Sequence, residues 1–141
     1  MHDPVRIVER VPTADEYLHL IASVGWRPRD RRAVEVALQH TFYAVCATTQ
    51  DRTIGFGRVI GDGALHFYLT DVAVHPAYQR RGVGSRIVTA LTKYVESMPY
   101  QNVLVAVLPT PGLIGFYAKH GYDAQRSETP IMQRWVNGAV P

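Results

Sequence analysis

Several features that would point to other protein classes are scarce or absent in this chain of 141 residues. It has one cysteine, Cys46, so no intramolecular disulfide can form, which fits a reducing cytoplasm. No apolar run approaches the roughly 20 residues of a membrane span, so no membrane partner is expected. The net charge of +3 is too mild to indicate nucleic acid. No His, Cys, Asp or Glu spacing suggests a metal site. We therefore predict a cytoplasmic protein without a metal.

The chain length and the lack of a dividing linker predict a single domain over residues 1–141, with a hydrophobic content of 47% to build its core. Thr13 and Glu16 form a capping-box pattern for a first helix, and Asp30 can cap a second. Residues 42–48, 54–60 and 64–74 are separated by turn residues, which predicts an antiparallel meander. The remaining predicted strands are 5–11, 103–108 (an unbroken apolar run typical of burial on both faces) and one or two within 122–136.

The most informative segment is the loop from Gln79 to Ser85, which lies between a predicted strand and an amphipathic helix. Gly82 and Gly84 allow a sharp turn and a close backbone approach to a ligand. The helix that follows offers unpaired N–H groups and the positive end of its dipole, and Arg80 and Arg81 add full charges. This combination predicts a site for a phosphate or pyrophosphate. The glycine spacing differs from the dinucleotide and Walker patterns.

One carboxylate stands out at the end of the fourth predicted strand. Asp71 interrupts the apolar run that leads into the glycine loop. It could act as a general base for an amine, directly or through water. Alternatively, it is a strand-edge carboxylate bonded to the backbone or to Arg58. The sequence leaves both interpretations open.

The loop, with Ala73-Val74 before it, resembles the acetyl-CoA loop of the GCN5-related N-acetyltransferase (GNAT) family. The segment Phe116-Tyr117-Ala118-Lys119-His120-Gly121-Tyr122 resembles a second motif of that family. The resemblance implies an α+β fold (mixed α/β) with a central, mostly antiparallel sheet flanked by helices and one parallel crossover. It also implies that the two central strands, 64–74 and 103–108, splay apart beyond the loop.

The family's mechanism implies roles for residues of this sequence, with acetyl-CoA as the acyl donor. Tyr117 would be the general acid that protonates the departing thiolate, since a phenol remains protonated at neutral pH. Thr110 stands where many members have an asparagine that helps to hold the pantetheine arm. The residues implied to bind acetyl-CoA are Val72, Ala73, Val74, Gln79, Arg80, Arg81, Gly82, Val83, Gly84, Ser85, Thr110 and Tyr117.

The acceptor is less defined by the sequence. Trp26, Tyr43 and Tyr68 lie in segments that shape the acceptor site in relatives, and aromatic side chains suit an apolar or aromatic amine. We therefore expect a small primary amine as substrate. The alternatives are a protein N-terminus or lysine, or a non-catalytic acyl-CoA-binding module. The resemblance further implies a homodimer, with the region around Trp135 as its interface.

Overall fold

The computed structural model describes residues 3–124 and 132–137. The chain forms two compact units, Met1–Leu108 and Pro109–Pro141, so the single domain over 1–141 stays a prediction. The first unit contains all elements but the last. In chain order the elements are β1 (Arg6–Glu9), α1 (Ala14–Ser23), α2 (Arg31–Gln39), β2 (Tyr43–Thr49), β3 (Arg52–Gly61), β4 (His66–Val74), α3 (Val83–Glu96), β5 (Leu104–Val107) and α4 (Ile114–Ala118).

The five strands form one sheet in the order β1-β2-β3-β4-β5. Neighbours from β1 to β4 are antiparallel, which confirms the predicted meander. β4 and β5 are parallel, and α3 makes the crossover between them. The mixed, mostly antiparallel sheet predicted from the sequence is therefore confirmed.

Local side-chain contacts define the starts of the first two helices. The Thr13 hydroxyl accepts the Glu16 N–H at 3.1 Å, and the Glu16 carboxylate accepts the Thr13 N–H at 2.8 Å. This is the predicted capping box, which satisfies backbone donors that a helix leaves unpaired. Asp30 caps α2 by accepting the Arg32 N–H at 2.9 Å. Both predicted helix starts are confirmed.

Alternating residues of β3 separate the two faces of the sheet, since successive side chains of a strand point to opposite sides. Phe56 faces α1, where its ring stacks on Tyr17 at 5.3 Å between centroids. Gly57 faces α3: a Cβ atom on Gly57 would lie 2.7 Å from Ile87 Cγ2 and 2.8 Å from Leu91 Cδ1. The absence of a side chain at Gly57 thus lets α3 pack directly on the strand.

Two strand predictions fare less well. The prediction that 103–108 is buried on both faces is wrong, because Leu104 is 54% and Leu108 59% exposed. Among the described residues β5 pairs with β4 alone, so an apolar run here marks the end strand of the sheet rather than its centre. The last strands, predicted within 122–136, lie largely outside the described residues, and residues 122–124 and 132–137 are not in a strand.

Candidate active site

The end of β4 nearest the glycine loop departs from regular strand geometry. Phe56 pairs with Ala73 and Arg58 with Thr70, so Gly57 alone stands opposite both Asp71 and Val72. This is a β-bulge, in which one extra residue on a strand redirects its backbone. Asp71 has a φ of +55°, a left-handed conformation that is uncommon for a residue with a side chain.

The same part of β4 has lost its parallel neighbour. The β4–β5 ladder runs from His66 opposite Leu104 to Leu69 opposite Val107. From Thr70 to Val74, β4 therefore has no β5 partner in the part of the chain that the structure describes. This agrees with the splay that the family resemblance implied. On this side the backbone of residues 70–74 has no strand partner among the described residues, and its exposed polar groups need other partners.

A buried ion pair lies beneath the bulge. Arg58 donates to Asp71 Oδ2 from Nε at 2.9 Å and from Nη2 at 2.7 Å, with side chains only 7% and 11% exposed. The Asp71 carboxylate also influences the Tyr17 phenol on α1. Burial, and then the Asp71 charge, raises the pKa of Tyr17 to about 12. The alternative in which Asp71 is bonded to Arg58 is thus observed.

Arg58 also reaches across to the end of α2. Its Nη1 atom donates to Thr41 Oγ1 at 2.8 Å and to the carbonyl oxygen of Ala37 at 3.3 Å. Its guanidinium lies 5.9 Å from the centroid of the Tyr17 ring. One buried arginine therefore connects β3, the β4 bulge and α2, and its hydrogen bonds compensate for the desolvation of its charge.

The glycine loop begins with a short turn that is held by its own side chains. His75 Nδ1 accepts the Ala77 N–H at 3.1 Å and starts a single 3-10 turn over Pro76–Tyr78. The Gln79 side-chain amide donates to the Val74 carbonyl at 2.8 Å. Gln79 was predicted to bind acetyl-CoA, and its side chain here ties the loop to the end of β4.

The residues after Gln79 form a turn that leads into the start of α3. Arg80 and Gly82 have φ values of +64° and +79°, and α3 begins at Val83. The N-cap residue of α3 is Gly82, which has no side chain to cap the helix, and a Cβ atom placed on it would have no atom within 4 Å. Arg80 and Arg81 are exposed, with the Arg81 guanidinium 5.6 Å from the centroid of the Tyr78 ring. Open amides beside two arginines fit a pyrophosphate.

The second unit contains the other two residues that were predicted to bind acetyl-CoA, Thr110 and Tyr117. Tyr117 lies on α4 and is 6% exposed, with its ring 5.0 Å from that of Phe116 and 6.2 Å from that of Tyr122. Burial, followed by the neighbouring Tyr122, raises the pKa of Tyr117 to about 12. Thr110 is exposed, and its carbonyl accepts the Leu113 N–H at 3.1 Å just before α4.

The three aromatic residues predicted for the acceptor lie on two different faces. Trp26 packs against the buried cluster around Tyr17, and Tyr68, 46% exposed, shares the Arg58 face of the sheet by its register. Tyr43 instead stacks on Tyr94 of α3 at 4.5 Å and donates its hydroxyl to Glu9 at 2.8 Å. These contacts supply no support for a substrate role of Tyr43, which stays a prediction.

The sequence interpretation did not foresee the part played by Arg58 and Tyr17. Arg58 entered only as a possible partner for Asp71, and no contact between Tyr17 and Asp71 was predicted. A signal was available for Arg58, because a charged residue interrupts the otherwise apolar β3 segment. A buried charge needs a partner, and Asp71 was the matching interruption on the next strand.

Comparison with known proteins identifies the family of this chain. The model of the Acetyltransferase (GNAT) family matches residues 12–122, which include the bulge, the glycine loop and Tyr117. The chain belongs to the GNAT acetyltransferase family. GNAT enzymes are acyl-CoA-dependent N-acetyltransferases, and the chain is therefore assigned to this transferase class.

Individual relatives agree with the GNAT assignment. An uncharacterized N-acetyltransferase ycf52-like of Prochlorococcus marinus is 32% identical over 84% of this chain and 68% of its own length. The chloroplastic GCN5-related N-acetyltransferase 1 of Arabidopsis thaliana is 31% identical over 77% of this chain and 55% of its own length. A solved probable acetyltransferase of Staphylococcus aureus has a TM-score of 0.89 at 30% identity, covering 94% of this chain and 100% of that one.

The structure and the comparisons give limited information on where in the cell the protein is located. Among the residues that the structure describes, no helix combines the length and apolar character needed to cross a membrane. Because the Arabidopsis relative is named as chloroplastic, the cytoplasmic location of this GNAT protein stays a prediction. The homodimer does so as well.

Proposed function

We propose that this protein transfers the acetyl group of acetyl-CoA to the primary amine of a small molecule, by direct attack of the amine in a ternary complex. The observation that carries the proposal lies in the first unit. There, the bulged end of β4, which pairs with β3 but has no β5 partner among the described residues, is joined by a short loop to a helix whose N-cap residue is Gly82. A strand edge that can bond an amide-rich arm and amides that can bond a pyrophosphate thus lie consecutively along the chain.

The residues present fit acetyl-CoA, which supplies the activated acetyl group. N–H groups from Gly82 to Ser85 and the charges of Arg80 and Arg81 would hold the pyrophosphate. Backbone groups of Val72 to Val74 would hold the pantetheine arm, with Thr110 as a further contact, and one N–H of the strand would polarise the thioester carbonyl. An aminoglycoside N-acetyltransferase that shares the fold, at a TM-score of 0.67 and 15% identity, was solved in complex with CoA.

Tyr117 is proposed as the general acid. A phenol is protonated throughout the neutral range and so holds the proton that a departing thiolate needs. Burial raises the pKa of Tyr117 to about 12, which keeps the phenol protonated and makes it a weaker acid than a free tyrosine. The alternative is that Tyr117 only packs with Phe116 and Tyr122. Removal of the hydroxyl alone, which leaves the ring packing intact, separates the two.

Asp71 is the carboxylate that the sequence offers as a general base for the amine. One of its oxygens already accepts two N–H groups of Arg58, and its side chain is 11% exposed. If Asp71 removes the proton of the amine, its other carboxylate oxygen, Oδ1, would accept that proton, directly or through a water molecule. Its role as the base stays a prediction, which the variants in the next subsection test.

For the acceptor we propose a small amine with an apolar or aromatic body. Trp26 and Tyr68 lie on the face of the sheet that carries Arg58, and Tyr68 is accessible. A relative of 26% identity over 73% of this chain, from Oryza sativa, is named Serotonin N-acetyltransferase 2. Serotonin is an aromatic primary amine, and the name of this relative therefore agrees with the proposed acceptor.

The test is thiol release from acetyl-CoA across a panel of aromatic amines, polyamines, amino acids and N-terminal peptides. We expect turnover with small amines, above all aromatic ones. Turnover with peptides alone would contradict the small-molecule acceptor. Acetyl-CoA binding without turnover on any acceptor would favour the non-catalytic module. Absence of a thermal shift with acetyl-CoA would overturn the whole proposal.

Tyr117→Phe then tests the acid. We expect kcat to fall about 100-fold or more, the usual contribution of a positioned acid, with little change in acetyl-CoA affinity. Tyr100→Phe, which removes the hydroxyl of an exposed tyrosine, is the matched control. Equal turnover in Tyr117→Phe and the control would show that Tyr117 only packs.

A further inference from the structure

The bulge in β4 is held in an unfavourable conformation by groups from other elements. Asp71 has left-handed backbone geometry, which costs energy for a residue that has a Cβ atom and persists only when its surroundings enforce it. Within the described residues, its carboxylate accepts two N–H groups of Arg58, and its charge acts on the phenol of Tyr17. Neither partner lies on β4.

We propose that Arg58 is a positioning residue for the acyl donor: through its ion pair with Asp71 it holds the bulged β4 backbone in the orientation that receives acetyl-CoA. This inference rests on the proposed function and extends it, since the donor site as defined above contains neither Arg58 nor Tyr17. It also gives Asp71 a task other than proton removal.

The geometry explains why an arginine suits this task. Its guanidinium presents several donors in one rigid plane. The edge with Nε and Nη2 holds Asp71, while Nη1 reaches Thr41 and the Ala37 carbonyl. The Asp71 carboxylate is therefore fixed relative to α2 as well as to β3. Without this anchor, the residue following in the chain, Val72, would no longer be constrained by the bulge.

A purely stabilising ion pair makes a different prediction. Breaking a buried pair destabilises a protein whatever its function, so loss of melting temperature alone does not separate the two roles. Positioning instead predicts that acetyl-CoA affinity falls in variants that are still folded. It further predicts that affinity returns when residue 71 can adopt its conformation without an anchor.

Glycine at position 71 supplies that condition, because glycine enters the left-handed region without strain. Asp71→Ala and Asp71→Gly differ by one methyl group, and both lack the carboxylate. We expect Asp71→Ala and Arg58→Met to bind acetyl-CoA about tenfold more weakly than wild type, as the release of one strained residue would allow. In Asp71→Gly we expect affinity to recover to within about threefold of wild type.

The double variant gives the sharpest comparison. In the Asp71→Gly background the anchor has no partner, so Arg58→Met should weaken binding no further. Arg52→Met, the same substitution at an exposed arginine of β3, is the control and should leave affinity unchanged. Affinities are measured by titration calorimetry with acetyl-CoA, below the melting temperature of each variant. If Arg58→Met does not fold, Arg58→Lys replaces it, because lysine keeps the charge but not the planar set of donors.

The outcomes separate this inference from the proposed function. Weak binding by Asp71→Ala and Arg58→Met, with recovery in Asp71→Gly, supports positioning. Wild-type affinity in Arg58→Met would overturn it. Equal, undiminished affinity in Asp71→Ala and Asp71→Gly together with lost turnover would assign Asp71 as the base and also overturn it. A wild-type protein that does not bind acetyl-CoA would overturn the proposed function and this inference with it.

Discussion

Substitution of Gly82 tests the glycine loop without steric interference. Gly82 has a φ of +79°, and a Cβ atom placed on it would meet no atom within 4 Å. Gly82→Ala therefore adds conformational strain and no clash. For an L-residue with an ordinary side chain, this conformation costs roughly 1–2 kcal/mol.

The strain can appear in either of two measurements. If the loop keeps its shape, the cost appears as lost stability, equivalent to a decrease in melting temperature of roughly 3–8 °C for a chain of this size. If the loop relaxes, the amides before α3 turn away, and acetyl-CoA affinity falls by roughly 5- to 30-fold. We expect the two losses in Gly82→Ala to sum to about 1–2 kcal/mol.

Gly82→Asn is the matched variant, because asparagine tolerates the left-handed region better than alanine despite its larger side chain. Unfolding by denaturant and calorimetric titration with acetyl-CoA are carried out on both variants and on wild type. Asn should retain more of the combined stability and affinity than Ala. Equal losses in the two variants, or no loss in Gly82→Ala, would refute the assignment of the loop's geometry to backbone conformation.

Two further predictions concern stability. Gly57→Ala should lower the free energy of unfolding by roughly 1–3 kcal/mol, because the added Cβ atom would lie 2.7 Å from Ile87 Cγ2. Gly115→Ala is the control, since a Cβ atom there would have no atom within 4 Å. Equal melting temperatures of the two variants would contradict the predicted crowding at Gly57. Glu16 has its pKa lowered from 4.5 to about 2, chiefly by its hydrogen bonds from Arg10, so its stabilising contribution is present above pH 4.5 and is lost as the pH falls towards 2. The stability difference between wild type and Glu16→Gln, measured by denaturant unfolding, should therefore shrink over that range, and a difference independent of pH would contradict the shifted pKa.

Much of the fold could be predicted because it depends on neighbours in the sequence. The capping box of Thr13 and Glu16 and the cap at Asp30 join residues within one helical turn. The turns between residues 42 and 74 define the meander in the same local way. The glycine loop was also predictable, since the conformational freedom of Gly82 belongs to the residue itself.

The burial of β5 could not be predicted in this way. An apolar run indicates that a strand has covered faces, but the place of the strand in the sheet depends on which others pair with it. Among the described residues β5 has one partner, and Leu104 stays exposed. Similarly, Tyr43 and Tyr68 look equivalent in sequence, yet strand register directs them to opposite faces of the sheet.

The sequence by itself determined the order of the described strands and helices, the position of the glycine loop before α3 and the family to which the chain is similar. These depend on residue type and on spacings within a few residues. Only the tertiary structure decided the state of Asp71. Its bulge, its left-handed backbone, its bonds to Arg58 and its interaction with Tyr17 arise where β3, β4 and α1 meet. Whether a carboxylate is available to a substrate depends on such distant partners, because a buried charge is stabilised by whichever groups the fold brings to it.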